Sequence, residues 1–264
     1  MVLSIQYSLV TLFGDKYRLM DILGVRIDNF TKEDVLQKVR HFLSTNGQKY
    51  IATTGPEFIM AAQRDAEFRS IINNADLSLA DGFGLAFAAR RAGQKLSARI
   101  PGVDLMVDIC RTAAETGQTV FLLGAQHGVA ERTAVRLIER IPNLKIAGAE
   151  SGYRGWYRKL DDAKLKEIIN RRQPDILFVA FGQVKQEKWI FHHLPQLPTV
   201  KLAMGVGGSF DYISGKVKRA PKFMQKCGLE WLYRLCRQPW RLPRIITAVM
   251  RFSWAILKYG KGEK

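Results

Sequence analysis

Asp81 follows a short apolar run, Leu77 to Ala80, and stands directly before Gly82 and Gly84. A carboxylate at that place has two uses. It can cap the helix predicted over Gly84 to Ala92, or it can serve as a general base toward a ligand admitted by the glycine turn. Spacing alone leaves both open. Further glycines close other apolar runs: Gly55, Gly124, Gly182, Gly205, Gly207 and Gly208. Turn glycines let a backbone approach a ligand closely, and the helix N-termini behind them favour phosphate. Each of them is equally a structural turn when taken singly. Gln186 and Glu187 fall in the first turns of a helix after the run Asp175 to Phe181, where nucleotide-binding α/β enzymes hold ribose hydroxyls or base edges.

The cations lie elsewhere. Lys216 to Lys264 carries thirteen Lys and Arg against two acids, eleven of the seventeen net positive charges. Arg219, Arg234, Arg237 and Arg241 are suited to phosphate oxygens, which a guanidinium grips bidentately. The same stretch is rich in Trp, Phe, Leu and Ile, a composition that also fits an anionic membrane surface. On a helix, Arg244, Arg251 and Lys258 fall seven apart and form one basic line, with Ile245, Val249, Phe252 and Ile256 on the opposite side. That apolar line suits the bilayer or the protein's own core. The apolar run Ile245 to Leu257 is too short to span a membrane and is interrupted by Arg251. A basic chain can also bind nucleic acid, but no helix-turn-helix, zinc or RNP pattern is present, so no nucleic-acid partner is expected.

The elements that must position these groups alternate along the chain. Ile22 to Ile27 reads as a first strand, and Thr31-Lys-Glu-Asp34 as a capping box opening a helix through Leu43. Apolar runs at 49–53, 77–80, 119–123, 144–147, 175–181 and 200–204 read as strands. Helical periodicity from Pro56 and over 128–141, 161–172 and 184–193 separates them. This alternation predicts an α/β fold with a mostly parallel, Rossmann-like sheet flanked by helices. Residues 1–213 are expected to form that core and 214–264 a basic, amphipathic helical appendage. Three cysteines without metal-ligand spacing predict a reduced, cytoplasmic setting, and the apolar N-terminus (Val2 to Phe13) lacks a signal-peptide pattern. No Walker motif and no G-x-G-x-x-G after the first strand are present, which weakens readings as an oxidoreductase or a P-loop protein.

Taken in order, ATTGPEF (52–58), NNADLSLADGFG (73–84), RIPGVDL (99–105), FLLGA (121–125), PDILFVAFGQVKQEKWI (174–190), GVGGSFDYISGKVKRAP (205–221) and GLEWLYRLCRQPWRLPR (228–244) resemble the WecG/TagA/CpsF glycosyltransferases. The resemblance covers about residues 20 to 244. It implies an inverting, metal-independent transfer of a sugar from a UDP-sugar to a sugar on a membrane-embedded polyprenyl diphosphate, with no cofactor. It places the protein on the inner face of the cell membrane, in surface-polysaccharide synthesis, with a homo-oligomer as one possible state. By the same resemblance Asp81 is the base and Thr53 lines the catalytic pocket. Arg99 contacts a phosphate or the sugar, and Gly124, Gly182, Gly207 and Gly208 approach the uridine diphosphate. Arg219, Arg234 and Arg237 are assigned to the active site, and Arg244, Arg251 and Lys258 to lipid. One departure stands out: the family's T-x-N has become Thr53-Thr54-Gly55, which leaves the donor sugar open. The alternative is a basic lipid- or nucleic-acid-binding module without turnover, in which Asp81 has no catalytic role.

Overall fold

The computed structural model describes residues 19–151, 153–154, 158–159 and 161–259, with side chains for all of these except 153–154, 158–159 and Lys226. The N-terminal stretch read for a signal peptide lies outside the described residues. In chain order the strands are β1 (Leu19–Ile22), β2 (Val25–Asp28), β3 (Lys49–Thr54), β4 (Leu77–Ala80), β5 (Thr119–Gly124), β6 (Lys145–Glu150), β7 (Tyr153–Arg154), β8 (Arg158–Lys159), β9 (Ile176–Ala180) and β10 (Leu202–Gly205). The helices between them are α1 (Lys32–Ser44), α2 (Pro56–Ala62), α3 (Ala66–Asn73), α4 (Phe83–Arg91), α5 (Gly102–Thr116), α6 (Val129–Arg140), α7 (Asp162–Arg172), α8 (Lys185–His193) and α9 (Ser209–Ile213). The tail adds α10 (Lys222–Lys226), α11 (Glu230–Arg237), α12 (Leu242–Ile246) and α13 (Phe252–Tyr259).

Eight strands form one sheet in the order β1-β2-β4-β3-β10-β9-β5-β6, parallel throughout except for the antiparallel β1–β2 pair at one edge. Burial on both faces explains the near-continuous apolar strands. Along β9, Leu177 and Val179 enter one core cluster while Ile176, Phe178 and Ala180 enter the other. The first cluster holds residues of α2, α3, α4, α7 and α8; the second holds residues of α1, α5, α6 and α9. The result is a three-layer α/β fold.

The strand expected over Ile22 to Ile27 is instead a hairpin. Leu23 (φ 55°) and Gly24 (φ 76°) both adopt the left-handed conformation of a tight two-residue turn. Asp21 Oδ1 accepts the Gly24 N–H at 2.8 Å and closes it. The capping box is present: Thr31 Oγ1 accepts from Asp34 N, and Asp34 Oδ2 accepts from Thr31 N. At the amino ends of the strands the acids serve the fold. Asp76 accepts the Tyr50 N–H at 2.8 Å and pairs with Lys49, and Asp175 accepts the Thr119 N–H at 2.9 Å.

The tail helix docks on the core. Phe252, Ala255 and Ile256 of α13 are buried, and Phe252 and Ile256 join the cluster that contains Phe58, Leu85 and Ala88. A π-helical turn, Thr247–Arg251, interrupts the helical stretch before them and shifts its register. Phe252 and Ile256, placed by their spacing on one line with Ile245 and Val249, face the core, and Ile245 and Val249 are half-buried. The exposed apolar face is a different one: Met250 (66% exposed), Trp254 (59%) and Leu257 (58%).

Candidate active site

The carboxyl ends of five parallel strands open into one cleft of about 900 Å³, a size that suits a nucleotide-sugar. Thr53 is the last residue but one of β3, Asp81 follows β4, Ala125 follows β5, Phe181 and Gly182 follow β9, and Val206 to Ser209 follow β10; all of them line it. Ligands of open parallel sheets bind at this edge.

Asp81 lines the cleft. It is not the cap of α4: that position belongs to Gly82, whose φ of 103° swings the chain out of β4, and α4 has no side-chain cap. Asp81 Oδ2 instead accepts the Gly102 N–H, from the first turn of α5, at 3.3 Å. Desolvation pushes the Asp81 carboxyl up to about 6, opposed by the Gly102 hydrogen bond and the charges of Arg99 and Arg234. A carboxyl with that value is a competent base near neutral pH. Thr53 packs on the same Gly102, where a side chain would meet Thr53 Oγ1 at 3.0 Å. Strand alternation sends Thr54 the other way, into a buried hydrogen bond with Ser78 at 2.9 Å. A side chain at Gly55 would come within 3.0 Å of the Asp81 carbonyl oxygen.

The cations enter from the tail. Arg234, Arg241 and Arg244 line the cleft together with Arg219. Arg219 is already engaged: its Nη2 donates to Asp104 at 2.9 Å and its Nε lies 3.5 Å from Glu230. Arg244 donates to Glu57 at 2.8 Å and to Gln183 at 2.7 Å. Arg234 and Arg241 form no ion pair among the described residues. Arg234 lies over the Tyr212 ring, 4.9 Å from its centroid. Burial, and then the charges of Arg234 and Arg244, lower the Arg241 guanidinium from its ordinary value. The Nε atoms of Arg234 and Arg241 and the Tyr212 hydroxyl are buried without a hydrogen-bond partner among the described residues. Crowded positive charge facing a cleft is an anion site.

The sequence profile of the Glycosyl transferase WecG/TagA/CpsF family matches residues 20–264. The chain belongs to this family. Among similar curated proteins is the N-acetylglucosaminyldiphosphoundecaprenol N-acetyl-beta-D-mannosaminyltransferase of Bacillus subtilis strain 168, 33% identical over 231 residues, 88% of this chain and 87% of the relative. The enzyme of the same name from Staphylococcus aureus strain MRSA252 is 38% identical over 242 residues, 90% of this chain and 92% of the relative. This protein is therefore a glycosyltransferase.

In this glycosyltransferase the cleft brings together Asp81, Thr53, Gly182, Gln186, Gly207, Gly208, Arg219 and Arg234. Four other expected residues lie off its lining. Arg237 stays at the surface over the Tyr233 ring, because α11 turns Arg234 inward and Arg237 outward. Arg99 stands behind the wall, stacked 4.4 Å from the Phe83 centroid, with its Nη2 3.4 Å from the Gln225 carbonyl. Gly124 is closed off by β9: a side chain there would meet the Ala180 carbonyl at 2.8 Å. Glu187 is fully buried under Gln186. Arg244, assigned to lipid by its helical line, turns instead into the cleft mouth. Glu57, Gln183, Tyr212 and Glu230 also line the cleft and went unread as site residues. Of the four arginines read as suited to phosphate, Arg219, Arg234 and Arg241 line the cleft and Arg237 does not.

Proposed function

We propose that this glycosyltransferase moves a hexose or N-acetylhexosamine from a UDP-sugar to a sugar on a polyprenyl diphosphate, with inversion and without a metal ion. The observation that carries the reading is the polarity of the cleft, with a base-competent carboxyl lining it and two guanidiniums, Arg234 and Arg241, that form no ion pair among the described residues. The printed names of the relatives, transferases to an N-acetylglucosaminyldiphosphoundecaprenol, support the acceptor class.

The step is a single displacement. Asp81 takes the proton of the acceptor hydroxyl while that oxygen forms its bond to the anomeric carbon. The bond from this carbon to the donor phosphate oxygen breaks on the opposite face, which inverts configuration. Uridine diphosphate leaves with the electron pair, and Arg234 and Arg241 receive its developing charge. Arg244 joins them as it exchanges Glu57 for phosphate. Arginines preset in a cleft stabilise such charge without reorganisation. Thr53, packed on the same Gly102 as Asp81, orients the sugar.

Among the described residues no helix is long and apolar enough to cross a membrane. The exposed face of Met250, Trp254 and Leu257, with Lys258 4.8 Å from the Trp254 ring, supports peripheral contact with an anionic membrane on the cytoplasmic side. The test is uridine diphosphate release from a panel of UDP-sugars, with a short-chain polyprenyl-diphospho-sugar acceptor. Acceptor-dependent release from one donor is expected. Release from none of them, with several acceptor sugars tried, would overturn the reading.

A further inference from the structure

Glu187 has an arrangement that stability alone does not explain. It is fully buried on α8, and its Oε2 has no hydrogen-bond partner among the described residues. Burial pushes its carboxyl up to about 7. An acid so placed lowers stability, and a leucine would fill the volume without that penalty. Against burial, the charged carboxyl is favoured first by its neighbour, Gln186 Nε2 donating to Glu187 Oε1 at 2.7 Å, and then by the backbone N–H groups of Glu187 and Val184 at the start of α8. Gln186 Oε1 in turn accepts the Gly207 N–H at 2.9 Å, and Gln186 and Gly207 both line the cleft. The pair lies tight on β10, where a side chain on Gly205 would collide with Glu187 Oε1 and come within 2.6 Å of Gln186 Nε2.

A carboxyl oxygen beside Gln186 accepts a hydrogen bond, and the Gly207 N–H only donates. Reversing the Gln186 amide would set two donors against each other at Gly207 and, while the Glu187 carboxyl is ionised, two acceptors against each other at Glu187. We propose that Glu187 is a positioning residue: it fixes the Gln186 amide and, through it, the Gly207 turn, so that both present their free hydrogen-bonding groups to the nucleoside-diphosphate end of the donor. The choice of ligand rests on the function proposed above; the Glu187–Gln186–Gly207 chain does not. Glu187 itself touches no substrate.

The experiment compares wild type, Gln186→Ala, Glu187→Leu, Glu187→Gln and the Gln186→Ala/Glu187→Leu double variant by two readouts. Amide hydrogen exchange at Gly207 is measured without ligand, and UDP affinity by calorimetry. Gly207 protection should be lost in Gln186→Ala and in Glu187→Leu. It should be kept in Glu187→Gln, whose side-chain oxygen still accepts from Gln186. UDP affinity should fall about tenfold in each disrupted single variant and no further in the double, since coupled residues are non-additive. Retained Gly207 protection in Glu187→Leu, or additive losses of affinity, would overturn the proposal. Lost protection with unchanged UDP affinity would overturn its claim on the donor. Wild type that binds no UDP would overturn the donor reading of the site, while the exchange result still decides the positioning chain. Should Glu187→Leu fail to fold, Glu187→Met replaces it, since a flexible side chain fills the same space.

Discussion

The backbone N–H of Gly102 donates to Asp81 Oδ2 over 3.3 Å, so the first turn of α5 holds the carboxyl that ends β4. The bond fixes the acid's direction while desolvation raises it to about 6. Turnover should therefore fall as pH drops through about 6 and the base is protonated. Asp81→Asn should lower the rate roughly 100- to 10,000-fold. The same group weakens the fold: between its ordinary value and about 6 the unfolded chain has lost the proton that the folded chain keeps, so stability falls as pH rises. Asp81→Asn should accordingly melt no lower than wild type at pH 7.5. A variant that is both inactive and unfolded would remove the support for a base.

Arg241 is half-buried, is crowded by Arg234 and Arg244, and forms no ion pair among the described residues. Arg241→Gln should relieve that repulsion and leave the melting temperature equal or higher. Donor turnover should nevertheless drop by about tenfold to a hundredfold, or about 1.4–2.7 kcal/mol of transition-state stabilisation. Steady-state kinetics beside a thermal melt checks both halves at once.

Glu187 carries a separate pH signature. Its folded value is raised to about 7 by burial, so stability is greatest below its ordinary carboxyl value and falls as pH climbs to about 7. Replacement by Gln removes the titration. Denaturant melts of wild type and Glu187→Gln at pH 4.5 and pH 8 should show the variant gaining roughly 2–4 kcal/mol relative to wild type across that interval. Equal differences at both pH values would count against a carboxyl that titrates in the core.

Met250, Trp254 and Leu257 face away from the core on the tail helix. Changing all three to serine should abolish binding to vesicles containing anionic lipid and leave the fold intact. Turnover of a water-soluble acceptor should change by less than twofold. Vesicle cosedimentation and the release assay separate the two effects.

Phe252 is fully buried among residues of α2 and α4, and a side chain on Gly84 would meet its ring at 3.2 Å. Phe252→Ala should cost about 3–5 kcal/mol, the usual range for a large aromatic removed from a core. Because α13 follows the stretch that carries Arg241 and Arg244, activity should fall with it. A chemical denaturation curve reads the first effect and uridine diphosphate release the second.

Much of this arrangement was legible in residue order. The capping box at Thr31, the alternation of apolar runs with helical periodicity and the glycines at strand ends specify local geometry. Local geometry in an α/β chain already puts Asp81, Thr53 and Gly207 at one sheet edge. Helix 7 apart from strand 9 needed no tertiary knowledge either, since Asp161 caps α7 and the buried run of β9 is apolar throughout. The hairpin was missed because Leu23 is a poor marker of a left-handed turn, and only its partner Gly24 carried the signal.

What sequence determined by itself, then, is the sheet, its ligand-binding edge and the acid that stands there, because strand and helix periods are properties of neighbouring residues. What only the tertiary structure decided is the direction of groups whose neighbours come from far along the chain. Arg244 reaches Glu57 across 187 positions of sequence, and Arg237, three residues after the inward Arg234, faces water. After the π-helical turn at Thr247–Arg251, Phe252 meets the core and Trp254 meets the surroundings. Glu187, expected to touch ligand, lies beneath Gln186 because its turn of α8 faces β10. Spacing sets which residues share a helical face, whereas the surface on which the helix docks sets where that face looks.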